Sequence, residues 1–155
     1  MKAFILAFSI LLVASSALFA QQENSIQFDS TLAKKLGADD YGNCAYTFVM
    51  LSTGDTIIED KVLRDSLFRS HMSNMGVMAE AGKLVLAGPF YSNNDEQFRG
   101  IFILNTTDST EVAELLKGDL TIKHGVLKAQ MYPWYGSAAL KLINKYHQKI
   151  QKTAF

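Results

Sequence analysis

Cysteine is almost missing from this sequence, which has a single one, Cys44, among 155 residues. No internal disulfide can therefore form, and stability must come from packing. Metal-type spacing is missing too, because no cysteine pair exists and the three histidines, His71, His124 and His147, do not recur at i,i+3 or i,i+4. We expect no metal and no cofactor. Cys44 opens an apolar run and is interpreted as a small buried or half-buried residue; the alternative is a reactive or chain-linking thiol.

An excess of charge of either sign is also missing. Fifteen Lys and Arg residues balance fifteen Asp and Glu residues, and no block of like charge is long enough to follow a phosphate backbone. The ten Phe, six Tyr and one Trp alternate with other apolar residues in short runs, which favours core packing over a base-stacking platform. We expect no nucleic-acid partner, and the length suits one ordinary globular domain.

The first twenty residues predict a secretory signal peptide. An early lysine precedes an apolar run over residues 3–13, and small residues follow up to Ala20. This run is shorter than the ~20 residues that a membrane-spanning helix needs. We expect cleavage near Ala20 and an exported protein, periplasmic or secreted, without a stable membrane anchor. The alternative is an uncleaved anchor.

Strands and helices alternate along the rest of the chain. We expect residues 21–43 to form a polar leader with one helical turn. Apolar runs predict strands over 45–51, 84–90, 100–105 and 127–134. Helical spacing predicts one helix between Asp60 as N-cap and Gly82 as C′ residue, and a second that follows a capping box from Asp108 to Glu111 and stops at Gly118.

The resulting order βαββαβ predicts an α+β, ferredoxin-like fold with both helices on one face of the sheet. The other face then needs a cover, and a partner sheet is the simplest one. After the domain at 44–135, the tail at 136–155 places four apolar residues on one side of a helix: Leu142, Ile143, Tyr146 and Ile150. We expect this extra C-terminal helix to pack on the open face or across a dimer.

A histidine lies on the inner side of the first predicted helix. At ~100° per residue, one narrow sector contains Arg64, Leu67, His71, Met75 and Met78. His71 therefore points toward the core. Two interpretations stay open: a core histidine that a carboxylate or a carbonyl satisfies, or a reactive residue.

Several segments together resemble the YCII-related (YciI-like) family. They are His71 in the inner stripe, Gly82 before a strand, the segment AGPF at 87–90, GIFIL at 100–104, Asp119 after the second helix, and YPWYGSAAL at 132–140. The resemblance spans about Tyr46 to Leu140 and is closest to an exported subgroup. Leu120 stands where the family usually has proline.

The resemblance implies a dimeric α/β barrel, in which two four-stranded sheets face each other, and a His71–Asp119 pair that acts in catalysis or binding. Such a pair can move protons, because the carboxylate fixes one imidazole nitrogen and leaves the other free. Muconolactone isomerase-like enzymes and a dehydrochlorinating member are related barrels. By analogy, we expect a cofactor-independent lyase or isomerase that acts on a small organic acid, cyclic or aromatic.

Three further residues are candidates for substrate binding. Arg64 shares the sector of His71 and would hold an anion, although an arginine near a helix start often faces solvent. Tyr46 and Trp134 would line a pocket, although aromatic residues on strands often serve packing. The alternative function is a non-catalytic, exported, dimeric ligand-binding or accessory protein.

Overall fold

The structure, a computed structural model, describes residues 27–153, so the predicted signal peptide lies outside the described residues. In chain order the elements are α1 (Ser30–Leu36), β1 (Asn43–Thr53), α2 (Lys61–Glu80), β2 (Leu84–Pro89), β3 (Phe98–Leu104), α3 (Ser109–Lys117), α4 (Leu120–Lys123), β4 (Leu127–Ser137), a 3₁₀ helix (Ala138–Leu142) and α5 (Ile143–Ile150). None of these helices is both long and apolar enough to cross a membrane.

The four strands form one sheet in the order β2-β3-β1-β4. Each neighbouring pair is antiparallel, and β1 pairs with β4 along its whole length. Helices α2 and α3 connect the strands in the order βαββαβ, which confirms the predicted α+β, ferredoxin-like fold. The strands extend beyond their predicted bounds mainly at β4, which runs to Ser137 and so enters the segment predicted as the helical tail.

The main core lies between the sheet and the helices. Alternate residues of β1 and β3 face it, including Val49, Leu51, Phe102 and Leu104, and they meet Met78 of α2 and Leu116 of α3. Burial of one such side chain contributes about 1.5–3 kcal/mol to folding. This layer fixes the helices against the sheet and therefore positions the side chains that they carry.

Aspartate caps start both long helices. Asp60 accepts hydrogen bonds from the backbone of Val62 and Leu63, and Asp108 accepts them from Thr110 and Glu111. These caps were predicted, but the reciprocal half of the capping box was not found. The carboxylate of Glu111 instead lies 2.5 Å from the ammonium group of Lys83, because the start of α3 lies beside the start of β2.

The leader and the tail meet at one end of the sheet. Helix α1 has seven residues, or two turns, where the sequence predicted one turn. The ammonium group of Lys141 donates a hydrogen bond of 2.8 Å to the carbonyl of Leu36. The sheet face opposite α2 and α3 is referred to as the helix-free face. Leu140 of the 3₁₀ helix packs on one end of it, against Tyr46 and Ile103. The tail therefore covers one end of that face.

Candidate histidine–aspartate site

Asp119 is the N-cap residue of the short helix α4 and is fully buried. Its carboxylate atom Oδ1 accepts two hydrogen bonds from Thr121, one from the backbone N–H at 2.9 Å and one from the hydroxyl at 2.6 Å. The other atom, Oδ2, is thereby left for a partner outside the turn. This local N-cap arrangement turns the carboxylate toward α2.

The partner on α2 is His71. Its Nδ1 atom lies 2.5 Å from Oδ2 of Asp119, across 48 residues of sequence. The imidazole stacks on Phe102 of β3 at 5.8 Å and 25°, and meets the edge of Phe68 at 6.2 Å and 73°. Two aromatic rings and a carboxylate therefore hold the imidazole, and its side chain is 12% exposed.

Burial and hydrogen bonding act in opposite directions on Asp119. Burial raises its pKa, whereas the hydrogen bonds from His71 and Thr121 lower it, and together they hold the pKa of this carboxyl below its usual value. Asp119 is therefore ionised at neutral pH. An ionised carboxylate only accepts hydrogen bonds, so it favours a proton on Nδ1 of His71.

The second nitrogen of His71, Nε2, meets solvent. Within residues 27–153 it has no hydrogen-bond partner, and no side-chain nitrogen or oxygen of this part of the chain is both buried and unpaired. Nε2 must therefore account for part of the exposed fraction of the side chain. Nε2 is therefore the ring nitrogen that is open to solvent, while Nδ1 is occupied by Asp119.

A close contact between helices supports the pair. Asn74 lies one turn after His71 and donates a hydrogen bond of 3.1 Å to the carbonyl of Leu115. A Cβ atom added at Gly118 would come within 2.3 Å of Oδ1 of Asn74. Gly118 is thus needed for close approach, and not for its backbone conformation, which is right-handed. The contact fixes Asp119, the next residue, relative to α2.

Leu120 occupies the first position of α4. Proline is favoured there because its fixed φ suits a helix start and the N–H that it lacks would have no helical partner. Leucine is compatible with the same turn, since the two bonds from Thr121 hold the carboxylate.

The structure does not bring the other predicted residues to this pair. Arg64 lies two turns before His71 on α2. It is exposed and donates a hydrogen bond to the carbonyl of Ile58. Tyr46 and Trp134 pack together at 5.7 Å on the helix-free face, whereas His71 lies on the opposite side of the sheet. Tyr46 is fully buried, donates to the carbonyl of Ser137 and has a pKa raised by burial.

Two surface clefts occur elsewhere in the described part of the chain. One of about 430 Å³ lies between α3 and α4, beside Leu116 and Ile122. The other, of about 200 Å³, lies at the strand ends beside Tyr46 and Trp134. His71 lines neither of these two clefts. Within residues 27–153 no cluster of His, Cys, Asp and Glu could hold a metal ion.

Four residues of the site were not predicted from the sequence: Thr121, Phe102, Phe68 and Asn74. Thr121 could have been predicted, because Asp-x-Thr after a helix-ending glycine is typical of an N-cap turn. Phe102 had none, since its position under His71 depends on which strand lies below α2.

The fold and the site define a ferredoxin-like α+β protein with a buried histidine–aspartate–threonine cluster on the helical side of its sheet. No family model matches the sequence, and no curated protein matches it. Among solved structures, the chain is similar to 5-chloro-2-hydroxyhydroquinone dehydrochlorinase (TftG) from Burkholderia phenoliruptrix, in complex with 2,5-dihydroxybenzoquinone. The identity is 15%, the TM-score is 0.42, and the match covers 57% of this chain and 92% of that one. A similarity at this level assigns no activity to the present protein.

Proposed function

We propose that this protein is a YCII-related, cofactor-independent enzyme of the lyase or isomerase kind, in which His71 transfers a proton and Asp119 orients it. The observation that carries the proposal is the 2.5 Å contact between Nδ1 of His71 and the buried carboxylate of Asp119. A core histidine that needed only one partner would be satisfied equally by a backbone carbonyl. An ionised carboxylate additionally holds the proton of the neutral imidazole on Nδ1, which leaves the lone pair of Nε2 to accept a proton.

The proton would move through Nε2. In the neutral imidazole with its proton on Nδ1, Nε2 carries the lone pair and takes a proton from a carbon next to a carbonyl group. The imidazolium that forms faces Asp119, whose negative charge stabilises it. Returning the proton to another atom gives isomerisation, whereas loss of a neighbouring leaving group gives elimination.

The surroundings of His71 favour a flat, largely apolar substrate. Phe68 is 42% exposed beside the imidazole, and the imidazole itself stacks on the buried ring of Phe102. A small cyclic or aromatic acid fits this setting. For its carboxylate we propose Arg64, which is exposed on the same helix two turns before His71 and would exchange its bond to the carbonyl of Ile58 for one to the substrate.

We also propose that the protein is a homodimer through its helix-free sheet faces. One face of an antiparallel sheet is commonly polar and solvated. Here the part that the tail leaves uncovered presents Phe48, Met50, Ile101 and Tyr132, and the charged Lys128 on the same face of β4 is paired with Asp55. Such a surface meets a copy of itself without like-charge repulsion.

Export, periplasmic or secreted, is proposed from the first twenty residues alone.

Solvent deuterium incorporation tests the catalytic proposal. The protein is incubated in D₂O with small cyclic and aromatic carboxylic acids that have an acidic C–H next to a carbonyl, and incorporation at that carbon is followed by NMR. We expect the His71→Ala variant to lose about 10²- to 10⁴-fold of the exchange rate, the usual contribution of a general base. The matched control is His124→Ala, because His124 is exposed at the end of α4.

The alternative function predicts a different result. If an acid binds to wild type and to His71→Ala with the same affinity, and neither incorporates deuterium, the protein is a non-catalytic ligand-binding or accessory protein. The same dimer could serve either function.

A further inference from the structure

Thr121 has a role at the site that its place in a helix cap does not explain. Its backbone N–H already caps α4 through Oδ1 of Asp119. Its hydroxyl adds a second bond to the same oxygen at 2.6 Å and also lies 3.5 Å from Nδ1 of His71. Thr121 is fully buried, so this hydroxyl has no access to water.

The start of α3 provides an internal comparison. The segment Asp108-Ser-Thr110 repeats the pattern of Asp119-Leu-Thr121, and the backbone N–H of Thr110 likewise donates to its aspartate at 2.8 Å. Thr110 is exposed, and in the described part of the chain its hydroxyl makes no bond to Asp108. The cap therefore forms without the hydroxyl, and the additional bond is specific to the turn beside His71.

The directions of the hydrogen bonds fix where protons lie. A threonine hydroxyl has one proton, and that of Thr121 is donated to Asp119, so toward His71 the hydroxyl oxygen presents only lone pairs. Oδ2 of Asp119 likewise presents only lone pairs. Both neighbours of Nδ1 are therefore acceptors, and only an imidazole that is protonated on Nδ1 satisfies them.

We propose that Thr121 is a positioning residue that holds Asp119 and, together with it, places the single proton of neutral His71 on Nδ1, which leaves Nε2 as the atom that exchanges a proton with the ligand. The inference rests on the proposed function for its catalytic meaning. The proton position itself is measurable without any substrate.

NMR of the ¹⁵N-labelled protein tests this assignment. In the wild type at a pH where His71 is neutral, we expect Nδ1 to show the shift of a protonated nitrogen, Nε2 that of an unprotonated one, and the Nδ1 proton to resonate far downfield. Thr121→Val replaces the hydroxyl by a methyl group of similar size. It should move both nitrogen shifts toward the average of the two tautomers and move the downfield signal upfield, because Asp119 then loses the hydroxyl bond that holds its carboxylate.

Two further variants separate positioning from folding. Thr121→Ser retains the hydroxyl and should restore the wild-type spectrum, even though it removes a buried methyl group. Thr110→Val changes the equivalent exposed residue and should leave the His71 signals unmoved. A wild-type spectrum for Thr121→Val, or an averaged spectrum for Thr121→Ser, would overturn the proposal.

The wild type offers a test that needs no variant, in case Thr121→Val does not fold. A buried hydroxyl that donates to a carboxylate exchanges slowly with water, so its proton should be observed with a nuclear Overhauser contact to the His71 ring. Absence of that proton signal counts against the proposal. Wild-type tautomer signals without any deuterium exchange would instead contradict the proposed function and leave the role of Thr121 intact.

Discussion

A buried carboxylate with three donors is the feature on which the site depends. Asp119 has no solvent exposure and accepts one bond from His71 and two from Thr121. Charged hydrogen bonds of this kind are stronger than neutral ones, and leaving one partner unsatisfied in the interior is costly. The same group thus contributes to stability and to the state of the imidazole.

Replacement of this carboxylate by an amide measures both contributions. We expect Asp119→Asn to lower the free energy of unfolding by about 1–3 kcal/mol, because an amide NH₂ must face a donor or lose a partner. The measurement is urea denaturation at neutral pH. Asp108→Asn is the matched control, since Asn caps a helix as well as Asp does and Asp108 is exposed. Equal losses in the two variants would contradict the assigned role of Asp119.

The stability difference between wild type and Asp119→Asn should depend on pH, and the pKa shift of Asp119 fixes the direction of that dependence. The pKa of Asp119 is lower in the folded state than the usual 3.8, so the folded state releases this proton more readily than the unfolded state. Its contribution is complete above pH 3.8 and disappears as the pH falls through the lower folded value. The stability difference between wild type and Asp119→Asn should therefore shrink in acid, as followed by urea denaturation at successive pH values. A difference that grows in acid would show the opposite sign of the pKa shift.

At the scale of elements, the contact between α2 and the end of α3 sets the geometry of the pair. Asn74 reaches the carbonyl of Leu115, and Gly118 leaves room for its side chain. His71 lies one turn before Asn74, and Asp119 directly follows Gly118. A change of side-chain volume at this contact should therefore be felt at the site.

Two glycine-to-alanine variants test this contact. Gly118→Ala should lower the free energy of unfolding by about 1–3 kcal/mol, because the new methyl group displaces Asn74 from Leu115 and leaves that carbonyl without its partner. Gly76→Ala lies within α2 with nothing near its added methyl group, so it should raise stability by about 1 kcal/mol through helix propensity. Thermal and urea unfolding measure both. Similar stabilisation by the two substitutions would show that the contact between Asn74 and Gly118 does not contribute to the free energy of unfolding.

At the scale of the whole molecule, the sheet has two unlike faces. Helices α2 and α3 cover one, and the 3₁₀ helix with Leu140 covers only one end of the other. The remaining area contains Met50 and Ile101, with Gln130 beside Met50 and Lys128, which pairs with Asp55, at its far end. Tyr46 and Trp134 belong to this second face and line the smaller cleft there, so they are not part of the surroundings of His71.

A lysine placed in this area tests the dimer. We expect the wild type to sediment as a dimer and Met50→Lys to sediment as a monomer, because the interface would bury an unpaired charge. Val77→Lys is the control, since Val77 is an apolar residue with 63% exposure on α2 and away from the sheet. A monomeric wild type, or an unchanged dimer in Met50→Lys, would contradict the sheet-to-sheet arrangement.

The sequence alone determined the features that follow from spacing over a few residues. The caps at Asp60 and Asp108, the order βαββαβ and the inward position of His71 are of this kind, because side-chain direction repeats every two residues in a strand and every 3.6 in a helix. Strand alternation in β1 also predicts that Tyr46 and Val49 point to opposite faces of the sheet, as the structure has them. The signal peptide and the YCII-related resemblance stay predictions.

Only the tertiary structure decided what the inward-facing histidine meets. Sheet register places Phe102 under the imidazole, and the contact between Asn74 and Gly118 brings Asp119 to it across 48 residues. The same packing assigns Thr121 to the site and puts Trp134 across the sheet. The physical reason is that packing between distant segments depends on which surfaces fit, and local periodicity does not encode that fit.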